Sequence, residues 1–199
     1  MSIGKRLRGA AVGAALVTTA AVGAGAPPAG APVYMDGPPP GHTGGFDEPT
    51  CHACHFDQPV NAEGGWLAVE GVPARYRPND VYAITILLTR PGMGRGGFQL
   101  AARFIEGDGA GRQAGTWRVP PAGMQIASAE DSLVQYLGHA LDGTALTAPD
   151  TVRWELAWQA PPEGSGMVVF HLGANAANDD ASEFGDYIYL KRLFAAGSE

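Results

Sequence analysis

Strict alternation of apolar and polar residues is the feature that most limits what this chain can fold into. Between residues 152 and 159 the large apolar residues are Val152, Trp154, Leu156 and Trp158, and Arg153, Glu155, Ala157 and Gln159 take the other positions. Successive side chains of a strand point to opposite faces, so this pattern predicts a strand with one face in the core and the other in water. We expect Trp154 and Trp158 to be core residues, because large aromatic side chains dominate the interior of β-sandwiches. The other two tryptophans are left unassigned.

Similar patterning recurs along the chain in short segments that are bounded by turn-forming residues. The candidate strands are Trp66–Glu70, Val81–Thr89 and residues 98–104, 114–119, 125–128, 152–159, 166–172 and 186–193. The chain also contains 29 Gly and 16 Pro. Roughly eight short strands with turns at this spacing predict an all-β fold, an immunoglobulin-like antiparallel β-sandwich with little helix. Residues 128–139 are compatible with a helical turn that leads into a strand, and no element is assigned there.

The first 24 residues have the layout of a secretory signal peptide. Lys5, Arg6 and Arg8 precede an uncharged run of small and apolar residues from 9 to 24. A charged start, a short apolar middle and a small-residue exit are typical of such peptides. We expect cleavage after Ala24, with an uncleaved N-terminal anchor as the alternative. Residues 25–64 are rich in Pro and Gly and predict an extended linker, and residues 65–199 form the predicted sandwich.

The charge balance excludes one class of partner. The chain has 13 basic and 20 acidic residues, and no basic cluster follows the first ten residues. Removal of the signal peptide takes away three positive charges and leaves a net charge of −10. A nucleic-acid partner is therefore not expected. We expect an exported protein in the periplasm, outside the cell or at the cell surface of a bacterium, with no membrane span in the mature chain.

The motif with the most specific chemistry is Cys51-His52-Ala53-Cys54-His55, which contains the only two cysteines of the chain. C-x-x-C-H is the attachment motif of a c-type haem. Two thiols at this spacing can add to the two vinyl groups of one haem, and the adjacent His55 can then ligate the iron. The motif predicts one covalent haem c, held by Cys51 and Cys54 and ligated by His55.

Two other functions of the motif stay open. A disulfide or redox-active dithiol between Cys51 and Cys54 is chemically easy in an oxidising compartment. A zinc site would need additional ligands from elsewhere in the chain, because the four residues of the motif are too contiguous to surround one ion.

The chain also resembles a known family. Residues 41–46 together with Cys51–His55 resemble the N-terminal signature of exported bacterial proteins of the choice-of-anchor V type, whose body is a Reeler-like β-sandwich. The further landmarks are residues 76–82, 96–100, 114–115, 154–161 and 185–189, in the order of that domain. The resemblance covers residues 40–193 and implies a Reeler-like sandwich that follows the haem-attachment segment. Such proteins usually end in a surface anchor or sorting tail, which Ser198 and Glu199 do not resemble.

If His55 ligates the iron on one side of the haem, another residue can ligate it on the opposite side. His139 is the first candidate, because it ends an apolar run just before a turn, and His171 is the second. The remaining candidates are His42, His52, Met93, Met124 and Met167. A Met ligand would raise the reduction potential relative to a second His.

An acidic loop precedes the last predicted strand. It contains Asn178, Asp179, Asp180, Glu183 and Asp186, whose oxygen atoms suit calcium. The spacing is not that of an EF-hand, and a solvated acidic turn is the interpretation that we favour.

These patterns predict an exported c-type haem protein that carries electrons to or from a redox partner protein. An alternative is an extracellular binding or adhesion module in which Cys51–Cys54 is a structural disulfide. A third hypothesis is a peroxidase-like haem enzyme, which needs an open sixth iron position. Hydrolase chemistry has no support because no G-x-S-x-G motif is present. We therefore expect a carrier or binding protein rather than an enzyme.

Overall fold

A computed structural model describes residues 1, 34, 36–118, 120–130, 132–162 and 166–198. The predicted signal peptide and its cleavage site lie outside the described residues, apart from Met1. Ten strands are present in the described part of the chain. They are β1 (Trp66–Glu70), β2 (Arg75–Tyr76), β3 (Val81–Thr89), β4 (Arg95–Phe104), β5 (Thr116–Trp117), β6 (Met124–Ala127), β7 (Tyr136–His139), β8 (Thr151–Gln159), β9 (Met167–Ala177) and β10 (Tyr187–Gly197). Three single turns of 3₁₀ helix, Cys51–Ala53, Gly107–Gly109 and Leu141–Gly143, are the only helical elements there.

The strands form two sheets, which confirms the predicted β-sandwich. The smaller sheet has the order β1-β3-β8-β5, and the larger sheet has the order β2-β10-β9-β4-β7-β6. All neighbouring strands are antiparallel except β2 and β10, which pair in parallel over two residues. The strands β1 and β3 have the predicted bounds. Residues 128–139 contain the strand β7 and no helix.

The core lies between the two sheets and is dominated by aromatic side chains. Trp158 is fully buried, its ring centroid lies 4.9 Å from that of Phe170, and its indole N–H donates to the carbonyl of Ala114. Trp154 is also buried and packs against Phe98. The prediction that both tryptophans are core residues is therefore correct. Of the two unassigned tryptophans, Trp117 is buried and Trp66 is 66% exposed.

Residues 36–62, here called the N-terminal segment, pack on the face of the larger sheet that points away from the core. Gln99 of β4 lies between the core residues Phe98 and Leu100 and so points to this outer face. Its amide donates to the carbonyl of Pro39 and accepts from the backbone N–H of His42. Farther along the segment, the N–H of Asn61 donates to the carbonyl of Ile188 in β10. The segment is thus hydrogen-bonded to the sheet at both of its ends.

Candidate functional site

The Cys-x-x-Cys-His motif forms one tight turn within the N-terminal segment. Thr50 caps the 3₁₀ turn Cys51–Ala53, and its hydroxyl accepts from the N–H of His52 at 3.1 Å. The carbonyl of Cys51 then accepts from the N–H groups of Cys54 and His55, at 3.2 and 3.1 Å. Short side chains that hydrogen-bond to nearby backbone, such as that of Thr50, favour this start of a turn. The turn brings both thiols and the imidazole close together on one side of the larger sheet.

The two thiols have different surroundings, and neither takes part in a disulfide. Cys51 is half-buried, and its Sγ lies 3.9 Å from the carbonyl oxygen of His42. Burial raises the pKa of the Cys51 thiol to about 12. Beneath it, a Cβ added at Gly173 of β9 would lie 3.2 Å from Sγ, so the glycine permits this close approach. Cys54 is exposed.

His55 is held by a buried carboxylate of the sheet. Its Nδ1 lies 2.7 Å from Oδ2 of Asp186, whose side chain is 1% exposed. The side-chain amide of Asn175 donates to the same Oδ2 at 3.0 Å, and the backbone N–H of Asn178 donates to Oδ1 at 3.1 Å. Both carboxylate oxygens therefore have hydrogen-bond donors. Asp186 is thus a partner of His55, a role that differs from the solvated acidic turn expected from the sequence.

A cleft with a volume of about 140 Å³ connects the motif with the end of the larger sheet. It lies where β4 and β10 begin and where β7 and β9 end. Cys51, Cys54, His55 and His139 all contribute to its lining, although His139 is 84 residues from His55 in sequence. The structure therefore brings the first candidate for the second axial ligand into the same cleft as the motif.

His139 is the last residue of β7 and is 9% exposed. Its Nδ1 lies 2.9 Å from the backbone nitrogen and 3.2 Å from the carbonyl oxygen of Phe98, so either tautomer finds a partner there. Burial lowers the pKa of His139, against the opposing effect of hydrogen bonds to the backbone of Phe98 and Tyr34. A neutral imidazole is the form that ligates metals. A Cβ at Gly97 would come within 2.7 Å of the ring, so a glycine is required beside it.

The other sequence candidates lie in different surroundings. His171 is on β9, packs edge-on against Phe46, and is not among the described residues that line the cleft. Met93 is buried in the core, Met124 is half-buried and Met167 is exposed. His42 does line the cleft, and its Nδ1 lies 3.0 Å from the carbonyl oxygen of Pro39. His52 turns away from the motif toward the carbonyl of Gln58.

Within the described ranges, no three His, Cys, Asp or Glu side chains are grouped so that they could hold a metal ion. The zinc and calcium alternatives therefore gain no support from the geometry. The pairing of Asp186 with His55 is the feature that sequence reasoning missed. No local pattern signals this pairing, because the two residues are 131 positions apart and meet only once the segment packs on the sheet.

The fold is similar to solved structures of Reeler domains. The Reeler domain of human F-spondin (fragment 1) is 24% identical, with 72% of this chain and 97% of that chain covered and a TM-score of 0.44. The Reelin-N domain of F-spondin is 23% identical, with coverages of 75% and 96% and a TM-score of 0.44. AvmM, which catalyses macrocyclization in alchivemycin A biosynthesis, is 17% identical, with coverages of 70% and 92% and a TM-score of 0.42. No family model matches the chain, and no curated protein matches it.

Reeler domains of F-spondin are thus among the structural neighbours, as the Reeler-like resemblance implied. These comparisons do not bear on the choice-of-anchor V resemblance or on haem. The layout of the sheets does not by itself select a function, which has to be argued from the site. In the described part of the chain, no helix has the length and apolar character needed to cross a membrane.

Proposed function

We propose that this protein is a c-type haem protein that transfers electrons. Cys51 and Cys54 would hold the porphyrin, and His55 and His139 would be the ligands of its iron. The observation that carries the proposal is the single cleft that both thiols and both imidazoles line. A C-x-x-C-H motif alone indicates attachment, whereas a second buried histidine that lines the same cleft would offer the iron a further ligand.

The donor set fits the group. Attachment requires two reduced thiols, and each S–H adds across one vinyl C=C, so that sulfur bonds to one carbon, the proton goes to the other and no atom is lost. Cys51 and Cys54 are both free thiols. The cleft volume of about 140 Å³ is below the range of about 300–1,000 Å³ that is common for cofactor sites, so a haem held by two thioether bonds would lie partly outside the cleft.

When bound, a haem supplies one-electron chemistry at a potential that its axial ligands and surroundings set. The protein's own residues would then have separate tasks. The two cysteines tether the group to a short turn, and His55 is oriented by the sheet through Asp186. His139 is already oriented by a hydrogen bond between its Nδ1 and the backbone of Phe98. An imidazole held in place before binding loses little freedom when it ligates iron.

The position of Cys51 adds one requirement. Its thiol is buried, and the raised pKa keeps it protonated. The turn Cys51–Ala53 must therefore move away from β9 before Cys51 can react.

The acidic residues Asp179 and Asp180 line the same cleft and are exposed. Their charge favours the approach of a redox partner with a basic surface.

A second candidate function is an extracellular binding module in which a Cys51–Cys54 disulfide is structural. It is favoured by the close packing of the N-terminal segment on the sheet and by the burial of the Cys51 thiol. In such a module the motif would stabilise the segment, and the sandwich surface would carry the binding activity.

The deciding experiment is production of the mature chain in a bacterial host that has the c-type cytochrome maturation system. The proposal predicts colour that persists through acid–acetone extraction, sharp α and β bands on reduction, and a mass increased by one haem. The variant Cys51→Ala/Cys54→Ala serves as the matched control and should be colourless. A colourless wild type with Cys51 and Cys54 joined in a disulfide would refute haem attachment and support the binding module.

A further inference from the structure

We infer that Asp186 is the positioning residue for His55. Its buried carboxylate accepts the Nδ1 proton of the imidazole, which leaves the Nε2 lone pair free for iron and makes His55 a stronger electron donor. This inference deepens the proposed function and, as far as iron is concerned, rests on it.

The first support is where the two residues lie. His55 belongs to a short turn, and its side chain is 29% exposed. Asp186 directly precedes β10, and its neighbour Asn175 is in β9, so both belong to the frame of the larger sheet. The side-chain amide of Asn175 donates to Oδ2 of this carboxylate, and the backbone N–H of Asn178 donates to Oδ1. The sheet therefore fixes the carboxylate, and the carboxylate fixes the imidazole of the turn.

The second support is the direction of the hydrogen bond. An ionised carboxylate has acceptor sites only, so across the 2.7 Å between Nδ1 and Oδ2 the proton belongs to Nδ1. A neutral imidazole has one N–H, and Nε2 is then the free ligand atom. Histidines that ligate metals usually donate their other N–H in this way, which sets the tautomer and raises the basicity of the ligand.

The variant Asp186→Asn tests this role because it keeps the shape of the side chain. The amide oxygen of the variant can still accept from the N–H of Asn178, which turns its NH₂ group toward His55 and Asn175. Asn175, whose buried Oδ1 has no partner among the described residues, can rotate its amide and accept from this group. That group can only donate, so Nδ1 becomes the acceptor and the proton moves to Nε2. The variant therefore reverses the tautomer of His55 while leaving the turn in place.

The matched control is Asp180→Asn. Asp180 is exposed and lines the same cleft, and its carboxylate contacts Asn178 and Ser182 rather than His55. Both variants remove one negative charge near the cleft. Asp180→Asn shows the effect of losing an exposed charge at the cleft without any change at His55, and the tautomer of His55 reports the hydrogen bond itself.

The first measurement needs no haem. Imidazole ¹⁵N NMR of the haem-free mature protein should show the Nδ1–H tautomer at His55 in the wild type and in Asp180→Asn. Asp186→Asn should show Nε2–H. An Nε2–H tautomer in the wild type would overturn the inference, and this result does not depend on whether any variant folds.

The second measurement uses the haem-loaded protein. The midpoint potential should shift to a more positive value in Asp186→Asn than in the wild type or in Asp180→Asn, because a weaker donor stabilises ferric iron less. The variant Asp186→Glu, which keeps a carboxylate, should restore part of the difference. Equal potentials in Asp186→Asn and Asp180→Asn would overturn the inference while leaving haem attachment intact. Failure of the wild type to take up haem would instead refute the proposed function and, with it, the role toward iron.

Discussion

Arg103 of β4 and Glu48 of the N-terminal segment form an ion pair that is largely shielded from solvent. The same carboxylate accepts hydrogen bonds from the hydroxyls of Tyr136 and Thr43. The guanidinium also lies 5.2 Å from the ring centroid of Phe46. This cluster joins the larger sheet to the segment that carries Cys51 and Cys54. The Cys-x-x-Cys-His motif is therefore held against the sandwich by a polar contact as well as by its own turn.

Replacement of Glu48 by Ala should destabilise the fold. The variant leaves the Arg103 guanidinium buried without its carboxylate, and loss of one partner of a buried pair costs about 3–5 kcal/mol. We expect a loss near the lower limit, about 3 kcal/mol, because the Glu48 side chain retains 14% exposure. Urea unfolding followed by circular dichroism measures it. The control is Glu155→Ala, which breaks the exposed Arg153–Glu155 pair and should change stability little. Equal losses in the two variants would contradict the role given to Glu48.

His171 should make stability depend on pH. Burial, and then the positive charges of Arg103 and Arg192, lower its pKa to about 4. In the unfolded chain a histidine binds its proton near pH 6.5. As the pH falls from about 6.5 to about 4, the unfolded state takes up a proton that the folded state does not, so the free energy of unfolding decreases. This part of stability is complete above about pH 6.5.

The variant His171→Phe removes the titrating imidazole and keeps an aromatic ring against Phe46. Its free energy of unfolding should fall less steeply than that of the wild type between pH 6.5 and 4. Urea titrations at half-unit pH steps provide the comparison. Parallel curves over this window would show that His171 titrates alike in the folded and unfolded states.

The two cysteines of the haem-free, reduced protein should react at different rates with iodoacetamide. With a pKa of about 12, Cys51 has only about one thiolate in 10,000 molecules at pH 8, whereas Cys54 is exposed. We expect Cys51 to be labelled at least about tenfold more slowly, as followed by peptide mass spectrometry. In urea the difference should disappear. Comparable rates in the folded protein would place the Cys51 thiol in solvent.

The sandwich was predictable because its pattern is local. The alternation around Trp154 and Trp158 lies within one continuous segment, and so does the β-branched run of β3, so both strands can be recognised from neighbouring residues alone. The end of β9 was not predictable in the same way. The prediction stopped at Leu172, whereas the strand continues to Ala177. Residues 173–177 contain Gly, Ala and Asn, which have weak strand propensity, and pairing with β4 and β10 on either side holds them in the sheet.

In the candidate site, too, the features that are local in sequence were predictable and the long-range contacts were not. The thiols and His55 were predictable from spacing, since their chemistry needs them adjacent in sequence. The contact of His55 with Asp186 joins residues 131 positions apart, and that of Glu48 with Arg103 joins residues 55 apart. Such contacts depend on which strands become neighbours, and no single-sequence pattern records them. The assignment of His139 as an iron ligand stays a prediction, although the cleft places it beside the motif.

The variant His139→Ala tests that assignment in the haem-loaded protein. Loss of the imidazole should leave the sixth position open, so a low-spin spectrum should become high-spin and the reduced protein should bind carbon monoxide. His42→Ala is the matched control, because His42 lines the same cleft and its ring contacts the carbonyl of Pro39. It should retain the low-spin spectrum. A high-spin spectrum in His42→Ala, with a low-spin spectrum in His139→Ala, would identify His42 rather than His139 as the iron ligand. A high-spin wild type would mean that no side chain fills the sixth position, as the peroxidase-like hypothesis requires.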